Sequence, residues 1–433
     1  MLRTVDLTDL VGDYRAHIPR AALDVAGAMD AVREVCDAVR ERGTEALAEY
    51  SHRFDGVVPA TFRVPERVLV EAAEQLDPKL REAFEESIRR RRVVAETLEC
   101  DPDPAPVVLA EGARVGLRNI PVERVGLYVP GGLAPLASSV IMNVVPAQVA
   151  GVREIAVASP PQAGFGGWPH PNILALCHML GVEEVYAVGG AQAIAMFAYG
   201  VAGLCAPVAM VTGPGNIYVV AAKRLVRGIV GIDSEAGPTE IAIIADSSAN
   251  PAYVAADLIS QAEHDPMAAS VLITDSPELS DLVAVELGSQ VAATKHRKRI
   301  RTALTGQQSA VLLVRDLDQA VDVADAYAAE HLEIQTRDAG KVAARINNAG
   351  AIFVGNFSPV SLGDYSAGST HVLPTAGCAC HGSGLTVRSF MRTVHVIDYS
   401  VQALSDIADG IERFALAEDL PGHAAAITVR TRR

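Results

Sequence analysis

Short apolar runs alternate with helix-like stretches through most of this chain, and that alternation constrains its fold more than any other feature. REIAVAS (153–159), EEVYAVGG (183–190) and APVAMVTG (206–213) are separated by HPNILALCHML and AQAIAMFAYGVAGL. Strand, helix, strand in this order dictates a parallel sheet with right-handed crossovers, because parallel neighbours need a connection long enough to hold a helix. A second series follows: TEIAIIAD, ASVLITD, SAVLLVRD and AIFVGN. Helical patterns beginning NPAYVAADLISQAEH, SPELSDLVAVEL, DLDQAVDVADAYAAEH and RDAGKVAARINN stand between and after these runs. The chain therefore reads as α/β, with two doubly wound units that repeat each other in architecture.

Residues 21–99 read as helical and highly charged, with the arginines at 89–92 on a solvated helix face. From Ser389 onward the pattern is again mostly helical. That tail is too short to hold a core alone and is expected to pack on another surface, such as a second subunit.

Two stretches, 125–152 and 185–222, contain no charge and are long enough to suggest membrane spans. VPGG, VVPAQ, VGGAQ and VTGPGN interrupt them, so buried strands and helices of an α/β core are the expectation instead. A formal net charge of −15 argues against nucleic acid as a partner, since neutralising phosphates takes Lys and Arg. The opening MLRTVDLTDLVGDYRAHIPR has acidic residues and lacks the apolar region of a secretory signal, so a cytoplasmic location is expected. Cys36, Cys100, Cys177, Cys205, Cys378 and Cys380 include no CxxC pair and read as free thiols in a reducing compartment.

The tripeptide Ala-Glu-His occurs twice, in SQAEHDP (260–266) and AAEHLE (328–333). Asn250-Pro251 is a helix start, and Pro266 is a stop. At 3.6 residues per turn Asp257, Gln261 and His264 share one face, so an amide oxygen and an imidazole can reach one cation; capping or surface hydrogen bonding explains most such pairs equally well. At the second site a helix runs into the strand HLEIQT, with Glu330 and His331 at the junction. An imidazole and a partly buried carboxylate there can divide proton work; a helix C-terminus with His⁺ on its dipole is the alternative. LGDYSAGSTHVLPT (362–375) reads as a long loop carrying Asp364 and His371, and near the end Glu418, Asp419 and His423 flank Pro421-Gly422. His264, Asp364, His423 and Gln261 are thus possible ligands, an N/O set suited to Zn²⁺. YVPGG (128–132), VGGAQAI (188–194) and TGPGN (212–216) each follow an apolar run and can bring backbone N–H groups to a phosphate or ribose. No GxGxxG opens the first unit.

Taken in order, VGLYVPGG, GGAQAIA, GPGN, AGPTE, SQAEH, AEHL, GDYSAGSTHVLPT and a terminal Glu-x4-His resemble the histidinol dehydrogenase family over nearly the whole chain. The resemblance implies two successive oxidations of L-histidinol by NAD⁺, through an aldehyde, to L-histidine. It implies one Zn²⁺ per subunit on Gln261, His264, Asp364 and His423, and an acid–base pair formed by Glu330 and His331. Substrate contacts carry over to Thr239, Gln261, His264, His331, Asp364, Glu418 and His423, and NAD contacts to Tyr128, Gln192 and Asn216. Thr239 departs from the family pattern, where serine is common; both offer a hydroxyl. The family's homodimers place the C-terminal tail in the neighbour's site, so Glu418 and His423 are expected to act across an interface.

The partition expected on this basis is a helical segment over 1–23 and an α/β domain of 24–127 plus 240–384 carrying the zinc and catalytic residues. An NAD-binding α/β domain over 128–239 and a dimerisation tail over 385–433 complete it. A relative oxidising another amino alcohol, and a zinc hydrolase using Glu330 to activate water, are the rival functions. Dependence on NAD⁺ separates the second from a dehydrogenase, and the presence of Glu418 and His423 speaks against the first. Mn²⁺ or Co²⁺ suits the same ligands.

Overall fold

The computed structural model describes residues 1–21, 25–131, 135–235 and 237–432. Two parallel sheets organise the chain. The first places Glu184–Ala187, Glu154–Ser159, Arg124–Tyr128, Met210–Thr212 and Gly231–Ile232 side by side. The second runs Arg3–Asp6, Ala310–Leu313, Ala269–Thr274, Glu240–Ala245, His331–Gln335, Ala351–Val354. Leaving aside the edge strand Arg3–Asp6, both sheets have the same arrangement: the first strand of each unit lies at the centre and the order reverses beside it. That reversal is the switch point of a doubly wound sheet, so the architectural repeat read from the sequence is real.

Uninterrupted apolar strands are explained by burial on both faces. In Glu240–Ala245, Ile241 and Ile243 enter one core while Ala242 and Ile244 enter another. In Glu154–Ser159, Ala156 and Ala158 face one core and Val157 the opposite one. The uncharged stretches are filled this way, and among the described residues no helix is long and apolar enough to cross a membrane.

Several expectations need correction. Residues 1–21 contain a strand and turns instead of a helix; Arg3–Asp6 pairs parallel with Ala310–Leu313 at the sheet edge, and residues 22–23 lie outside the described part. The helices of 25–98 mainly cover the first sheet, although Ser87 and Arg91 of the last one also donate to the backbone of Tyr365 and Gly368. Val32, Val39 and Tyr50 share a core with Tyr186 of the first sheet and Phe197 of the helix Gly190–Tyr199, and Leu69 shares one with Leu127 and Ile141. That sheet's apolar faces need covers, and these helices supply them. Arg91 is fully buried, on the same helix as buried Ser87 and Ala95, and pairs with Glu99 at 2.8 and 3.0 Å. The stretch after Ser389 begins with a strand, Met391–Tyr399, antiparallel to Ala113–Pro121, with Val107–Ala110 completing a three-stranded sheet. The helices Val401–Ala417 and Pro421–Thr431 follow and pack on each other.

Candidate active site

The helix Leu317–Tyr327 is capped at its start by Asp316, whose carboxylate accepts from the N–H of Gln319. It ends on Ala328, a buried non-glycine residue in the left-handed region (φ 49), at a cost of roughly 1–2 kcal/mol. This turn throws the chain into the strand His331–Gln335. Glu330 and His331 arrive there only 6% and 5% exposed, beside the central strand Glu240–Ala245.

Glu330 Oε2 accepts from Thr239 Oγ1 at 2.6 Å and from the N–H of Glu240 at 2.9 Å. The Gln261 amide donates in turn to Thr239 Oγ1. His331 Nδ1 lies 3.1 Å from the carbonyl oxygen of Glu240. A carbonyl only accepts, so Nδ1 carries the proton and Nε2 presents its lone pair. That Nε2 is buried and has no hydrogen-bond partner among the described residues. Burial pushes Glu330 up to about 8 and holds His331 below the usual imidazole range. His331 Nδ1 is also 3.5 Å from Glu330 Oε2, but two groups both driven toward their neutral forms make a polar contact instead of an ion pair.

The helix Pro251–Ala262 starts on the Asn250 cap and Pro251, as read from the sequence, and buries Asp257 and Gln261. His264 follows its end, solvent-accessible yet hemmed in by protein, as a side chain lining a cleft would be. Desolvation lowers its basicity, while nearby Asp364 opposes the shift. Asp364 comes from the short helix Val360–Tyr365. His371, singled out in the sequence without a role, belongs to the same cluster: Nδ1 is 3.2 Å from the carbonyl of Asp364, and Nε2 is 3.1 Å from Ser139 Oγ. Ser139 lies in the helix after strand Arg124–Tyr128, so the first α/β unit touches the cluster here. Glu418 and His423 lie exposed in the C-terminal helical segment, with no hydrogen bond or ion pair to the cluster among the described residues. Among the described residues no group of three His, Cys, Asp or Glu side chains has the spacing to hold a metal. The donors Gln261, His264 and Asp364 suit Zn²⁺ in kind, and within one chain they form an open, incomplete set.

The expected NAD contacts stand at the carboxyl ends of the first sheet. Tyr128 closes its strand, and its hydroxyl accepts from the N–H of Gly190 at 3.1 Å. Gln192, in the first turn of Gly190–Tyr199, is buried with both amide atoms lacking partners among the described residues, as expected of a group aimed at a ligand. Asn216 caps Ile217–Val226, accepting from Tyr218 and Val219 N–H groups. Between them Gly213 (φ 116) passes so close to the Tyr128 carbonyl that any side chain would overlap it. Gly132 of the YVPGG turn lies outside the described residues, as does Ala236 of AGPTE.

Two parallel α/β units, one with glycine turns at its carboxyl edge and the other with a buried carboxyl–imidazole couple, place the chain among α/β enzymes of the dehydrogenase type. A family model described as histidinol dehydrogenase matches residues 18–431. The histidinol dehydrogenase of Cutibacterium acnes is 67% identical over the full length of both chains, and that of Thermobifida fusca 61% over 99% of this chain and 98% of the relative. The crystal structure of histidinol dehydrogenase from Elizabethkingia anophelis superposes with a TM-score of 0.92 at 30% identity, covering 99% of this chain and 98% of that one. The chain belongs to the histidinol dehydrogenase family, and with it to the NAD-linked oxidoreductases.

Proposed function

We propose that the chain oxidises L-histidinol through L-histidinaldehyde to L-histidine, the last steps of histidine biosynthesis, with two NAD⁺. The observation that carries this reading is the free Nε2 of His331, a base fixed in tautomer by Glu240 and set beside a carboxyl of raised pKa. Bound NAD⁺ supplies the hydride acceptor for each oxidation. Tyr128, Gln192 and Asn216 would hold it, a role supported by the unpartnered amide of Gln192. A Zn²⁺ on Gln261, His264, Asp364 and the His423 of a second copy would supply a positive anchor for the imidazole and amino nitrogens of the substrate.

His331 Nε2 then takes the hydroxyl proton as the alcohol is oxidised. Glu330, as carboxylate, removes a proton from water as that water adds to the aldehyde. His331 takes the second hydroxyl proton as the hydrate is oxidised. Thr239 holds Glu330 and Gln261 in register and faces the substrate with them, while Glu418 of the second copy reaches its polar end.

The C-terminal segment from 385 is read as the dimerisation tail. Val401, Phe414 and Val429 on it are 74%, 69% and 73% exposed, an apolar surface that a homodimer would cover. The two sheets are read as the cofactor unit and the zinc-bearing unit, and the chain as cytoplasmic. The test is metal analysis combined with an NADH assay on histidinol, before and after chelation and re-addition of Zn²⁺. Absence of NADH from histidinol, or faster turnover of another amino alcohol, would end the proposal.

A further inference from the structure

Glu240 holds both members of the acid–base couple through its peptide groups, the N–H to Glu330 Oε2 and the carbonyl to His331 Nδ1. Its own side chain is only 3% exposed and so far without a part. Three distant pieces of the chain converge on that carboxylate. The Arg20 guanidinium, from the N-terminal segment, brings Nη1 to 3.9 Å from Oε1. The hydroxyl of Tyr327, last residue of its helix, lies 3.4 Å from Oε2, and Gly377, from the loop after His371, brings its backbone beside the carboxylate. Arg20 also lies over the Tyr327 ring at 4.7 Å and donates to the Tyr327 carbonyl, one residue before the left-handed turn that delivers Glu330. Any side chain at Gly377 would meet the Arg20 guanidinium.

A fold needing only an apolar strand here would place Val or Ile at 240, as at most later positions of this strand, instead of burying a carboxylate among polar partners. The Arg20 contact fixes both ends of one short path: it grips the helix end that leads to Glu330 and the residue whose backbone orients Glu330 and His331. We propose that Arg20, Glu240 and Tyr327 form a positioning network for the acid–base couple, setting the tautomer of His331 and the orientation of Glu330. The inference rests on the reading of Glu330 and His331 as that couple.

The test uses full-length, metal-loaded protein carrying Glu240→Gln, Arg20→Met or Tyr327→Phe, with His331→Asn as reference. A misplaced couple lowers kcat roughly 10- to 100-fold in Glu240→Gln and Arg20→Met, with KM for histidinol and NAD⁺ within about twofold of wild type. The ¹⁵N imidazole resonances of His331, assigned by their loss in His331→Asn, would report weakening of the Nδ1–H form. Arg20 is partly exposed, so Arg20→Met keeps the test open where Glu240→Gln does not fold. Wild-type kcat and an unchanged His331 tautomer in a folded Arg20→Met or Glu240→Gln protein would overturn the network. So would losses that appear in KM alone. A fully active His331→Asn protein would instead overturn the acid–base reading beneath it.

Discussion

The hydroxyl of Thr239 donates to Glu330 Oε2 over 2.6 Å while it accepts from the Gln261 amide. One side chain thus links the helix that carries Gln261 to the junction that carries the proposed proton-transfer groups. It also biases Glu330, because a hydrogen bond to the carboxylate favours the ionised form against the burial that disfavours it.

Thr239→Val keeps the shape and removes both bonds. Leaving a buried acceptor short of a donor costs on the order of 1–3 kcal/mol, which corresponds to a fall of roughly 10- to 100-fold in kcat/KM. Thr239→Ser should remain near wild type. Steady-state rates for both variants check this, and equal losses in the two would remove the hydroxyl from the explanation.

Burial raises Glu330 to about 8, and the proposed hydration step needs its carboxylate. Turnover of the aldehyde should therefore climb as pH rises through about 8 and level above it. Glu330→Gln has no such group to ionise, so it should lose the climb and release aldehyde, measurable with a carbonyl-trapping reagent. A rate already flat from pH 6 upward in the wild type would contradict the assignment.

Asp257 and Glu333 are neighbouring buried carboxyls, with Gln335 donating to Asp257 at 3.1 Å. Burial and the neighbouring carboxyl push Glu333 well above its ordinary range. A carboxyl that keeps its proton in the fold but loses it in the unfolded chain contributes its full stability below the unfolded value. That contribution fades as pH rises toward the folded value. Denaturant midpoints of the wild type should drop between about pH 5 and about pH 9, and the drop should be smaller in Glu333→Gln. Parallel curves for the two proteins would show that the pair does not carry the effect.

Gln192 presents a different balance. Its amide is buried without partners among the described residues, so Gln192→Leu should hold or raise the melting temperature. The same change removes the hydrogen bonds proposed to reach the cofactor and should weaken NADH binding about tenfold, read by fluorescence titration. Unchanged NADH affinity would remove Gln192 from the cofactor site.

Much of this was legible in the sequence because period and punctuation report local physics. The strands of both units, the Asn250-Pro251 start and the Glu330–His331 junction all appear where the pattern puts them. What the pattern missed depends on neighbours distant in sequence. Arg3–Asp6 is too short to show a period, and it becomes a strand because Ala310–Leu313 offers an open edge. MRTVHVIDY alternates, but its partner lies some 270 residues earlier, Thr393 opposite Asn119. Arg91 looked like one of four equivalent arginines until Glu99 met it one helix end away. Arg20 and Glu240 each look ordinary alone; only the fold makes them adjacent.

The exposed position of His423, far along the chain from Gln261, His264 and Asp364, suits the proposed sharing of each reaction centre by two polypeptides. Co-expressing His331→Asn chains with His423→Asn chains would then restore activity that neither has alone. In a mixed pair one centre inherits both lesions and the other inherits none, so random assortment should return about a quarter of the wild-type centres.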